Sequence, residues 1–173
     1  MAEYVEVKHV VATSSGSTAL DLAMNCIGVK SGDEAIVPDF TFQATANFVI
    51  HSGGAPVFVD IGQSGFNIDP SQAQEAVTQH TKAIFAVHAF GHPARIDEIL
   101  RIAKQHDIKV IEDAAGALGA SWQGRKVGGF GDMACLSFHP RKTITTGEGG
   151  CSLPTMDTHT IRTKPPLATN CSQ

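Results

Sequence analysis

The chain has 173 residues, 13 basic against 17 acidic side chains, a formal net charge of −4 and 42% hydrophobic residues. A chain of this size buries a core without disulfide staples. Its mild acidity and lack of basic clusters argue against a nucleic-acid partner, and its apolar runs fall far short of the roughly 20 residues that cross a bilayer. The opening MAEYVEVKH has no basic region leading into an apolar stretch, so a cytoplasmic protein without a membrane partner is expected. Cys26, Cys135, Cys151 and Cys171 stand far apart with no CxxC pair, which reads as reduced thiols.

In chain order, Val7 to Ala12 is the first strand candidate. It passes through Thr13, Ser14, Ser15 and Gly16 into a segment where Leu20, Ala23, Met24 and Ile27 recur on one helical face. Ala35 to Val37 is a second strand, and Phe42, Ala46, Val49 and Ile50 fit a second helix before Gly53-Gly54. Val57 to Val59 is the next strand, and a weak helix from Asp69-Pro70 carries Ala73, Ala76 and Val77. Ala83 to Val87 is a continuous apolar run, as expected of a strand covered on both faces. Ile96, Ile99, Leu100 and Ala103 then share a stripe, with Asp97 and Glu98 near the start and Lys104 near the end, as the helix dipole prefers. Strand Val110-Ile111 follows.

Strands alternating with amphipathic helices predict an α/β fold, a three-layer, mostly parallel sheet with helices on both faces. After Asp113 the crossovers stop: small residues to Ala120, a Gly-rich turn over 124–131, and strand Met133 to Phe138 predict a hairpin or an antiparallel strand in the same sheet. Residues 154–173 show neither period and are rich in threonine and proline, so a domain over 1–153 and a disordered or aberrant tail are expected.

Three places carry candidate chemistry. The SSGST run joins a strand to a helix, so its amides and hydroxyls can cradle a phosphate, although plain N-capping is the alternative. Asp113 ends the strand KVIED at the carboxyl edge of a parallel sheet, where open α/β proteins bind ligands; an acid there suits a cationic ring nitrogen. Glu112, its neighbour, points to the opposite face and reads as structural. Lys142 follows the third feature, SFHPR, with Ser137 and His139 just upstream and glycines beyond. Such an amine is a Schiff-base former only when unprotonated.

Two other patterns are set aside. Gly129, Gly131 and Ala134 fit a dinucleotide fingerprint, but a polar turn precedes them and a strand follows, where the motif needs a strand before and a helix after. His88 and His92 stand four apart in a loop rather than on a helix, so no metal is expected.

The runs SSGSTAL, GDEAIVPDFTFQATANFV, PVFVDI, NIDP, TKAIFAVHAFGHPARID, IEDAAGALGA, GRKVGGFGDMACLSFHPRK and TGEGG occur in fixed order between Tyr4 and Ser152. In this the sequence resembles the nucleotide-sugar aminotransferases of the DegT/StrS type, pyridoxal-phosphate enzymes of the aspartate-aminotransferase fold. The resemblance implies that residues 1–153 are part of the large, cofactor-binding domain. It makes Lys142 the lysine that holds pyridoxal 5′-phosphate as a Schiff base and carries the proton. Asp113 becomes the partner of the pyridinium nitrogen, Gly16, Ser17 and Ser137 the phosphate cradle, and Phe42 the ring that stacks on the cofactor. It also implies an amino-acid donor, glutamate, a nucleotide-linked keto sugar as acceptor, and a homodimer, with His88 and His139 lining the sugar pocket.

Two departures qualify the resemblance. Gly116 stands where the family often has Gln or His, and the family continues beyond TGEGG into a C-terminal small domain. The expectation is therefore a truncated chain lacking that domain, its tail a shifted reading frame, testable by reading the DNA in the other frames. A catalytically inactive, cofactor-binding remnant is the rival to a working aminotransferase.

Overall fold

The computed structural model describes residues 1–63 and 65–155. The expected tail from 156 on, with Cys171, lies outside the described residues. A short helix α1 (Ala2–Val5) precedes β1 (Val11–Thr13), α2 (Gly16–Ile27), β2 (Glu34–Pro38), α3 (Ala44–His51) and β3 (Ala55–Val59). Then come α4 (Pro70–Glu75), β4 (Thr81–Val87), α5 (Ile96–His106) and β5 (Lys109–Asp113). A two-stranded ribbon, β6 (Ser121–Trp122) and β7 (Arg125–Lys126), leads to β8 (Met133–Ser137) and β9 (Gly150–Pro154).

Among the described residues seven strands form one sheet in the order β1-β9-β8-β5-β4-β2-β3. The neighbours from β8 to β3 all pair in parallel. β9 runs antiparallel to both β8 and β1, so the sheet does hold an antiparallel strand, but the strand expected to carry the reversal, β8, is parallel to β5, and β9 was not expected. Pro154 pairs with Met133, so this strand runs past the expected boundary at Leu153.

Alternation along the central strands divides the core. Ala83 and Phe85 face α2 and α3 with Ala35, Val37 and Ile111, while Ile84 and Ala86 face α4 and α5 with Ile36 and Val110. Both faces are thus covered, as the unbroken apolar runs require. A third cluster packs Val5, Ala114, Ala117 and Val127 against Ala134, Leu136 and Leu153.

Two elements differ from the sequence reading. The first strand is three residues long and begins at Val11, because the Val7 amide instead bonds to Ala2 O and Val5 is buried against the Gly128 turn. The second helix starts at Ala44 and buries Ala44, Thr45 and Val49, whereas Phe42 lies before it and is 69% exposed and Ile50 is 59% exposed. Counting Phe42 into the helix merged a loop residue with a helix face, since an apolar residue two positions before a helix mimics its period.

Candidate active site

At the carboxyl ends of β1, β2, β4, β5 and β8 lies a cleft of about 970 Å³. Asp113 forms part of its floor and is 6% exposed. Thr45 Oγ1 donates to Asp113 Oδ2 at 2.9 Å and the Ala115 amide to Asp113 Oδ1 at 3.2 Å. These two bonds fix the carboxylate plane and leave acceptor capacity facing the cleft.

The start of α2 forms another wall. Ser15 caps the helix: its Oγ accepts from the Thr18 amide at 3.1 Å, and Thr18 Oγ1 accepts from the Ser15 amide at 2.9 Å. With Thr18 so engaged, the earlier amides of the helix, those of Gly16 and Ser17, project from its N-terminus into the cleft that both residues line. The capping alternative is realised by Ser15 and Thr18, and it does not use the Gly16 and Ser17 amides. A Cβ on Gly16 would stand 2.7 Å from Ser137 Cβ, and one on Gly150 would stand 2.6 Å from the Ser15 carbonyl. Only glycine at these points lets β8 and β9 meet the helix end, which brings the Ser137 hydroxyl beside the α2 amides.

Lys142 sits half-buried on the loop after β8, where its amide bonds to His139 O at 2.9 Å. It lines the same cleft as His139, Arg141 and Glu148, and His139 Nε2 lies 3.8 Å from Glu148 Oε1. Phe42 lines the cleft from the β2–α3 loop. The six expected site residues, Gly16, Ser17, Phe42, Asp113, Ser137 and Lys142, thus border one cavity although they span 126 positions of sequence from 16 to 142.

His88 borders the cleft as expected, but its ring is engaged behind it. Its Nδ1 accepts from the Ala94 amide at 3.0 Å, so Nε2 carries the proton and donates to Glu112 Oε2 at 3.1 Å. Both ring nitrogens are committed away from any sugar. Glu112 also accepts from the amides of Gly128, Phe130 and Gly131, each at 2.7 Å. Burial pushes this carboxyl upward; the His88 hydrogen bond, with the Gly131 and Gly128 amides, more than offsets it and holds Glu112 below the ordinary glutamate range. Of the apparent dinucleotide positions, Gly131 gives its amide to Glu112, and the segment that follows is strand β8, not the helix the motif needs.

Thr45 is the site residue the sequence reading missed. A threonine inside an otherwise apolar helical stripe, as in FQATANFV, was the available signal, because a buried hydroxyl needs a partner.

Residues 1–163 match the DegT/DnrJ/EryC1/StrS aminotransferase family. The chain belongs to that family. It is 47% identical over 149 residues to the GDP-perosamine synthase of Caulobacter vibrioides, covering 86% of this chain and 40% of that protein. It is 44% identical to the spore coat polysaccharide biosynthesis protein SpsC of Bacillus subtilis, over 86% of this chain and 38% of that protein. Among solved structures it superposes on the aminotransferase of Psychrobacter cryohalolentis with a TM-score of 0.89 at 37% identity, covering 92% of this chain and 40% of that one. A sugar aminotransferase of Streptococcus pneumoniae, solved in PLP and PMP forms, matches with TM-scores of 0.86 at 30% identity, over 90% of this chain and 44% and 43% of those. This DegT/StrS-type chain thus spans about 40% of the length of the relatives it matches, and the family match runs past Leu153 to residue 163.

Proposed function

We propose that this chain is the cofactor-holding part of a pyridoxal-phosphate-dependent aminotransferase that acts on a nucleotide-linked keto sugar. The observation that carries the reading is the meeting of a fixed buried acid, a lysine and a helix N-terminus around one cleft. The cleft fits the cofactor on its own chemistry. The carboxylate of Asp113 suits a protonated ring nitrogen, and the Gly16 and Ser17 amides with the Ser137 hydroxyl suit a phosphate at the positive end of α2. The exposed Phe42 ring suits an aromatic face.

When bound, pyridoxal phosphate supplies an electron sink for the carbon that gives up its proton. Lys142 Nζ would hold the cofactor's aldehyde carbon and, once displaced, take and return the proton at that amine. Asp113 orients and neutralises the ring nitrogen, and the α2 amides anchor the far end. Glutamate as donor follows from the resemblance.

The homodimer that the resemblance implies is supported by an exposed aromatic group at the cleft mouth, where Phe40, Phe66 and Phe90 contact one another with ring centroids 5.2 to 6.0 Å apart. The described residues contain no helix long and apolar enough to cross a membrane.

The test is an absorbance titration with pyridoxal phosphate, followed by borohydride reduction and peptide mapping, with Lys142→Ala as control. A reduced adduct confined to Lys142 is expected. A folded sample that forms no adduct, or forms it equally in the variant, refutes the reading. Adduct formation without amino transfer from glutamate to a keto sugar is what the inactive-remnant alternative predicts.

A further inference from the structure

Asp113 is held from behind by a chain of two hydroxyls. Thr45, in the first turn of α3, is fully buried, and its Oγ1 donates to Asp113 Oδ2 at 2.9 Å. A carboxylate only accepts hydrogen bonds, and a threonine has one hydrogen to give. The second contact of Thr45, with Thr41 Oγ1 at 3.0 Å, must therefore be donated by Thr41. The direction is fixed: Thr41 O–H to Thr45 Oγ1, then Thr45 O–H to Asp113 Oδ2. Each donation polarises the next group and strengthens the bond that follows.

The two ends of this chain belong to different parts of the cleft. Asp113 closes β5, whereas Thr41 lines the cleft from the β2–α3 loop, next to Phe42. A buried hydroxyl that merely needed satisfying could bond to a helix carbonyl one turn back. Thr45 instead reaches 68 positions along the sequence to the buried acid on the cleft floor.

We propose that Thr45 is a positioning residue for Asp113, and that Thr41 and Thr45 together tie the acid to the loop that carries Phe42. The inference rests on the cofactor reading above. The relay sets the angle at which Asp113 meets a ring nitrogen, so losing it weakens ligands that own such a nitrogen and spares those that do not.

The experiment titrates the wild-type chain, Thr45→Val, Thr45→Ser and Thr41→Val with pyridoxal phosphate and with its analogue in which carbon replaces the ring nitrogen. Thr45→Val is expected to weaken pyridoxal phosphate by about tenfold, the scale of one hydrogen bond to a charged group, and to leave the analogue within about twofold. Thr45→Ser restores wild-type preference. Thr41→Val, at a half-buried position where folding is less at stake, lowers the same preference by about threefold. Equal weakening of both ligands by Thr45→Val, or no weakening, overturns the positioning role, and so does an unchanged preference in Thr41→Val. A wild-type chain that binds neither ligand overturns the cofactor reading and this inference with it. Wild-type discrimination that survives Thr45→Val overturns the inference alone.

Discussion

Replacing Glu112 by Gln tests whether the buried acid on the reverse side of β5 holds the sheet end together. Each carboxylate oxygen receives two donors: Oε2 the His88 imidazole and the Gly128 amide, Oε1 the amides of Phe130 and Gly131. Whichever way a glutamine amide is turned, its NH2 faces two N–H groups, so two hydrogen bonds are lost and the donors stay buried. Hydrogen bonds to a charged group contribute about 1.5–3 kcal/mol each, and relief from burying a charge offsets part of that loss. A net cost of about 3 kcal/mol follows. With a urea slope of about 2 kcal/mol/M, the unfolding midpoint falls by about 1.5 M.

The same variant has a pH signature. Because Glu112 is held below its ordinary range in the folded chain, its contribution is present above the unfolded glutamate pKa. It is lost as pH falls through the lower folded value. Urea midpoints measured from pH 7 downward should therefore converge between wild type and Glu112→Gln at acid pH. A midpoint shift below about 0.3 M at pH 7, or a difference that grows on acidification, refutes the argument.

Two further outcomes are expected. Gly16→Ala drives a methyl to 2.7 Å from Ser137 Cβ, and overpacking of this kind costs about 1–3 kcal/mol; calorimetry should show the melting temperature falling by roughly 3–8 °C, and an unchanged value would show that β8 yields freely. Burial pushes the Cys151 thiol up to about 11 and raises Cys135 well above the ordinary range, so iodoacetamide at pH 8 should label neither in the folded chain and both after unfolding in urea, as read by peptide mass spectrometry. Labelling of the folded chain at the rate of an exposed thiol contradicts that.

The sequence was most informative where one physical period dominated. Ile96, Ile99 and Ala103 lie buried along α5, and Ala83 to Val87 is a strand buried on both faces, because in each case every apolar residue serves the core. The periodicity failed at Phe42, which lies before α3 and not in it, and at Val7, whose amide closes the turn after α1. Asp113 and Lys142 were legible because strand ends and glycine turns place side chains at the sheet edge whatever the packing. Thr45 left only the mark of a hydroxyl in an apolar stripe, which says that it needs a partner but not that the partner is Asp113, 68 positions away on β5. Glu112 was legible as to face through strand alternation, yet the identity of its four donors required the fold of the Gly128 turn.

The insertion of β9 between β1 and β8 has a consequence for size. Were those two parallel strands adjacent, their carboxyl ends would sit one strand spacing apart, about 4.8 Å; with a reversed neighbour between them the separation doubles to about 9.6 Å. Because β9 begins with Gly150 where the other two end, and its backbone lies tight against Ser15, the widened interval is not filled by a side chain from the intervening strand. One change of strand direction thus converts a closed sheet edge into a berth of molecular width, with α2 entering it end-on.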